Sequence, residues 1–105
     1  MNAADRAILE QFAGRVREIE PLARIWAFGS RARGDAAPDS DFDICVVVPA
    51  GVAELRRAVR KLAWEVGFEH ERVLATIVLP EEEFEHGAMS ASTLVANIRA
   101  EGVAA

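Results

Sequence analysis

The run DFDICVVV, residues 41–48, constrains the fold more than any other stretch. It opens with alternating acidic and apolar residues and continues as an unbroken apolar segment. A period of two is the pattern of an extended strand, whose successive side chains point to opposite faces. The solidly apolar continuation suits a strand in the middle of a sheet, covered on both faces. Pro49 and Gly51 end the run. A chain with such a strand must supply neighbours to pair with it and helices to share its core.

Those partners are readable. RIWAF at 24–28 and RVLATIVL at 72–79 have strand character. Ile8, Phe12 and Val16 recur at four-residue spacing, joined by Leu9 and Ile19, and predict a helix over 5–19. Asp5 or Asn2 can cap its start, and Pro21 ends it. Val52, Leu55, Val59, Leu62 and Val66 line one face of a second helix over 52–66, with Gly67 as its expected C-terminal cap. Arg56, Arg57, Arg60 and Lys61 lie mostly off that face, either as a solvated surface or as an anion-binding one. The acids after Pro80 suit the first turn of a helix starting near Glu81, and residues 92–100 read as a last helix capped by Ser92. The order of helix, strand, turn, strand, helix, strand, helix predicts an α+β (mixed α/β) domain.

One domain over residues 1–105 is the expectation for 105 residues with 51% hydrophobic content. No apolar run approaches the ~20 residues that span a bilayer. The N-terminus lacks the continuous apolar segment of a secretory signal, so a cytoplasmic location is expected. A net charge of −5 argues against extended nucleic-acid binding by phosphate neutralisation. It is compatible with a small anion held in a local positive pocket. Cys45 is the only cysteine, which excludes an internal disulfide; within ICVVV it reads as a small buried side chain.

The chemistry concentrates in GSRARGDAAPDSDFD, residues 29–43. A strand that ends in Gly29–Ser30 and turns into a helical turn over 30–34 exposes backbone N–H groups that suit phosphate. Glycine permits close approach, and Ser30 can add a hydroxyl. Arg31 and Arg33 either supply positive charge to an anion or pair with Asp35 or Asp39. DAAPDS, residues 35–40, is a loop by composition. On a strand, Asp41 and Asp43 point to one face while Phe42 and Ile44 point to the other. Two such carboxylates repel unless a cation lies between them, and Mg²⁺ is the oxygen-seeking ion that fits. The alternative is a strand end that tolerates two solvated acids. A phosphate cradle followed closely by an acid pair is what nucleoside triphosphate chemistry requires.

GSRARGDAAPDSDFDICVVV resembles the signature of the DNA polymerase beta-like nucleotidyltransferase superfamily. More narrowly it is similar to the minimal nucleotidyltransferases, with Gly29, Ser30, Ala32, Arg33, Gly34, Ser40, Asp41 and Asp43 on their pattern. The closing STLVANIRAEGV is also similar to the ends of such domains. The resemblance implies a small mixed sheet with helices mainly on one side. It implies triphosphate contact by Gly29 and Ser30, nucleotide binding with Arg31, Arg33 and Ser40, and Mg²⁺ held by Asp41 and Asp43 as the catalytic acids. It also implies ATP as the nucleotide, AMP transfer to a hydroxyl, and pairing with a HEPN-type toxin; a homo-oligomer is the other expected assembly.

One departure stands out. Members of the superfamily usually carry a third carboxylate on the next core strand, and alignment of RVLATIVLP places Thr76 there. Glu69 and Glu71, just before that strand, either reach in or stay in solvent. The expectation divides between a nucleotidyltransferase with Asp41 and Asp43 as its acids and a catalytically weak binding module.

Overall fold

A computed structural model describes residues 1–86 and 92–105. In chain order its elements are α1 (Ala3–Ile19), β1 (Arg24–Phe28), α2 (Gly29–Arg33), β2 (Phe42–Val48), α3 (Val52–His70), β3 (Leu74–Pro80), α4 (Glu81–Glu85), α5 (Thr93–Glu101) and β4 (Val103–Ala104). The strands form one sheet in the order β3-β2-β1-β4. β1 is antiparallel to β2 and β4, whereas β2 and β3 are parallel and joined through α3. The sheet is therefore mixed, as expected.

β2 occupies an inner position, which its apolar run requires. Ile44, Cys45, Val46, Val47 and Val48 are all buried, and Asp43 is the one half-buried residue of the strand. Its alternate residues feed two cores. Phe42, Ile44, Val46 and Val48 pack with Ile8, Phe12 and Val16 of α1 and with Val59, Leu62 and Val66 of α3. Cys45 and Val47 face the other way, onto Phe84 of α4 and Val95 and Ile98 of α5. The two long helices share one face, and the short α4 and α5 cover the other.

The helix ends differ from the sequence expectation for identifiable reasons. α1 starts at Ala3, because Asn2 is the cap and its side chain accepts from the Asp5 amide at 2.8 Å. Asp5 is thereby released for another task. α3 does not stop at Gly67 but continues to His70. A Cβ on Gly67 would stand 2.4 Å from the Arg72 carbonyl oxygen, so glycine serves the close return of the chain rather than the helix cap. The cap is Glu71, which takes the left-handed conformation at φ 55°. β3 accordingly begins at Leu74 and runs to Pro80 at the sheet edge, where a missing N–H is tolerated. Ser92 caps α5 as expected, accepting from Val95 N at 3.1 Å. β4 was not expected: two residues are too short to show periodicity, and they pair with Trp26 and Ala27 of β1.

Candidate active site at the β1–α2 corner

β1 passes directly into α2, with Phe28 still extended and Gly29 at φ +72°. Side chains rarely adopt that conformation. A Cβ on Gly29 would also lie 2.7 Å from Asp43 Oδ2. Glycine is thus needed twice, for the turn and for the carboxylate that rests against it. The antiparallel register brings them together by pairing Phe28 with Asp43. α2 ends at Gly34, in the left-handed region at φ 84°, where the Ser30 carbonyl accepts from Gly34 N at 2.9 Å and Asp35 N at 3.1 Å.

Asp41 is exposed just before β2, and Asp43 is half-buried within it. The Asp43 carboxyl is held above the usual aspartate range, first by burial and then by the negative charge of Asp41. Among the described residues, neither acid has a salt-bridge partner. A divalent cation would relieve both the desolvation and the repulsion. The donor set suits Mg²⁺, which takes one or two carboxylates and completes its shell with water and phosphate oxygens. Among the described residues no group of three or more metal-ligating side chains occurs, and Asp41 and Asp43 are the pair there that could hold such an ion.

The other expected site residues separate into two groups. Ser30 and Ser40 are half-buried, and Arg33 is exposed on α2. Arg33 Nε lies 3.3 Å from Asp35 and Nη1 lies 3.4 Å from Glu101, and these carboxylates, Asp35 foremost, hold its proton more tightly than usual. Arg31 is a correction. Its side chain is buried and turned inward, with Nη2 donating to the Pro38 carbonyl at 3.0 Å and the Ser40 carbonyl at 2.9 Å, and Nη1 lying 3.5 Å from Asp5. It supports the loop from inside instead of offering charge to a bound anion, and its acidic partner is Asp5 rather than Asp35 or Asp39.

Thr76 is the second correction. The parallel register pairs Thr76 with Ile44, so both point toward α1 and α3, away from the Asp43 face. The β3 residue paired with Asp43 is Ala75, followed on that face by Ile77 and Leu79. Thr76 therefore cannot stand in for an acid on the Asp43 face, because a shift of one residue along a strand reverses the face. Glu69 accepts from Gln11 Nε2 at 3.1 Å on the α1 side, and Glu71 is the exposed cap of α3. Burial pushes the Cys45 thiol up to about 12, in keeping with a packing role. The sequence reading missed Asp5 and Arg72. Asp5 is 2% exposed and lies between Arg31 and Arg72, with Arg72 Nη1 at 2.9 Å from Oδ1. An acid in a first helical turn looks like a capping residue, so no local signal separated the two roles.

A family model described as a nucleotidyltransferase domain matches residues 9–101, which contain the whole corner and both acids. The chain belongs to the nucleotidyltransferase domain family. Solved structures agree on the fold of this nucleotidyltransferase domain. A candidate nucleotidyltransferase from Sulfolobus solfataricus is 23% identical, with a TM-score of 0.61 over 93% of this chain and 76% of its own. A toxin–antitoxin structure with AMP-PNP is 20% identical, with a TM-score of 0.58 over 90% of this chain and 70% of its own. The structure of a tri-AMPylated Shewanella oneidensis HEPN toxin in complex with an MNT antitoxin is 18% identical, with a TM-score of 0.56 over 95% of this chain and 70% of the matched one. No curated protein matches the sequence.

Proposed function

We propose that this nucleotidyltransferase domain binds ATP with Mg²⁺ and transfers AMP to a hydroxyl on a partner protein. The observation that carries the reading is the Asp43 carboxylate resting against Gly29, with Asp41 beside it and no cation paired to either among the described residues. That contact sets an acid pair against a glycine corner where a polyphosphate can approach the backbone. Mg²⁺, when bound, neutralises the charge of the phosphates and polarises them toward attack. Asp41 and Asp43 would hold it, and Gly29 and Ser30 would meet the triphosphate. Arg33, exposed and tied only by surface contacts, is free to turn toward a ligand. The acceptor oxygen forms a bond to the α-phosphorus while the bond to pyrophosphate breaks, and the hydroxyl proton passes to a base or to water.

The acceptor is placed on a partner protein or a second copy. The similarity in fold to an MNT antitoxin held in complex with a HEPN toxin supports a HEPN-type partner. A cytoplasmic setting accompanies that pairing. The test is to incubate the protein with Mg²⁺, α-labelled ATP and a HEPN-type protein as candidate acceptor. Label transfer that disappears with chelator and with Asp43→Asn is expected. No magnesium-dependent nucleotide uptake in calorimetry would overturn the reading.

A second reading is favoured by Ala75 and Ile77, which occupy the β3 face beside Asp43 where a third acid would stand. On that reading the domain is a weak or non-catalytic antitoxin module. Asp41→Asn and Asp43→Asn would then leave partner binding and protection intact, and loss of protection by a folded variant would count against it.

A further inference from the structure

Asp41 sits on a segment with little apolar anchorage. Gly34, Asp35, Ala37, Pro38 and Asp39 are all exposed, and no regular element lies between α2 and β2. What holds the segment is polar and comes from beneath. Arg31 Nη2 donates to the Pro38 carbonyl at 3.0 Å and the Ser40 carbonyl at 2.9 Å, so the peptide just before Asp41 is fastened. On the other side, the Phe42 amide donates to the Val73 carbonyl at 2.8 Å. Val73 follows Arg72, whose Nη1 lies 2.9 Å from Asp5 Oδ1, while Arg31 Nη1 lies 3.5 Å from Asp5 Oδ2. The Arg72 contact is a charge contact and not an aligned hydrogen bond. Asp41 therefore hangs between two anchored peptides, and each anchor leads to an arginine that shares one buried carboxylate.

Resting on the functional reading above, we propose that Asp5 is a positioning residue for the metal-binding acids, acting through Arg31 and the loop at 38–40. Asp5 touches neither ligand nor metal. It is 2% exposed and its two partners are cations, so its charge fixes how the Arg31 guanidinium is aimed. Only a planar fork reaches two carbonyls while it faces a carboxylate, so lysine is no equivalent at this position. Loss of the Asp5 charge leaves two like charges close together with nothing between them.

Two variants test this. Asp5→Asn keeps the shape and removes the charge. Arg31→Lys keeps the charge toward Asp5 and loses the forked donation, so it decides the matter alone should Asp5→Asn unfold. The first readout needs no ligand: native-state amide exchange at Ser40, Asp41 and Phe42 against reference amides in α1. Exchange at those three positions faster by about 10-fold, with α1 unchanged, is expected. The second is calorimetric titration of Mg²⁺ in the presence of AMP-PNP. A half-saturating Mg²⁺ concentration raised by about 10–100-fold is expected, the range for partners that orient metal ligands. Binding of AMP-PNP without Mg²⁺ should be unchanged. A folded variant with wild-type exchange at 40–42 and wild-type Mg²⁺ half-saturation overturns the proposal. If the wild-type protein takes up no Mg²⁺ with nucleotide, the functional reading fails, and the exchange measurement still decides whether Asp5 orders the loop.

Discussion

Gly29 and Asp43 are one feature seen from two residues. The positive φ of Gly29 turns the chain from β1 into α2, and the absent side chain leaves the space that the Asp43 carboxylate fills. Gly29→Ala is expected to destabilise the fold by about 1–2 kcal/mol from the left-handed backbone alone, with a further cost from the displaced carboxylate. Urea denaturation should show this as a lower midpoint with an unchanged slope. Asp43 makes a separate prediction. Folding raises its proton affinity, so ionisation opposes the folded state. Its contribution is most favourable below the ordinary aspartate range and is lost as pH rises through the raised folded-state value. Asp43→Asn should therefore raise the Tm of the metal-free protein at about pH 8, and the gap should narrow as pH falls toward about 4. Mg²⁺ with nucleotide should stabilise wild type and not the variant. Calorimetric scans across that range check both signs.

At the scale of elements, the helix ends teach the most. Gly67 carries the signature of a cap but lies inside α3, because the chain folds back over it and brings the Arg72 carbonyl within reach of any added Cβ. The actual cap, Glu71, holds a left-handed backbone without being glycine. Glu71→Gly is expected to stabilise the protein by about 1 kcal/mol, read from the urea midpoint. The same α3 carries Trp64 and Phe68, stacked with ring centroids 5.3 Å apart yet 68% and 74% exposed. The apolar spacing of α3 was legible in advance, with Val59, Leu62 and Val66 facing the core. Its length was not, because the stop signal and the close-approach glycine are the same residue type.

Across the whole molecule, β2 is the element on which both cores depend. Its alternate residues face α1 with α3 on one side and α4 with α5 on the other. Native-state hydrogen exchange should find the slowest amides at Ile44–Val47, with edge β3 and the two-residue β4 opening more readily. Equal protection across the sheet would contradict that order. Asp43 lies on the face that α4 and α5 cover, which is why its neighbours on β3 are Ala75 and Ile77 and not Thr76. Among the described residues no helix is long and apolar enough to cross a membrane.

Local physics accounts for what could be read from the residues alone. Periodicity marked β2 and the cores of α1 and α3, apolar composition marked β1 and β3, the Ser92 cap marked α5, and the glycine corner and acid pair of the candidate site stood out because their chemistry lies close together in the sequence. Pairing between distant segments decided the rest. Arg31 turns inward because Asp5 and two loop carbonyls wait there, and Thr76 misses the site because the β2–β3 register sends it to the opposite face. β4 exists because β1 has a free edge for two residues to close. None of these has a local period, since each depends on which strand lies beside which, and a shift of one residue in that register would exchange the two faces of the sheet.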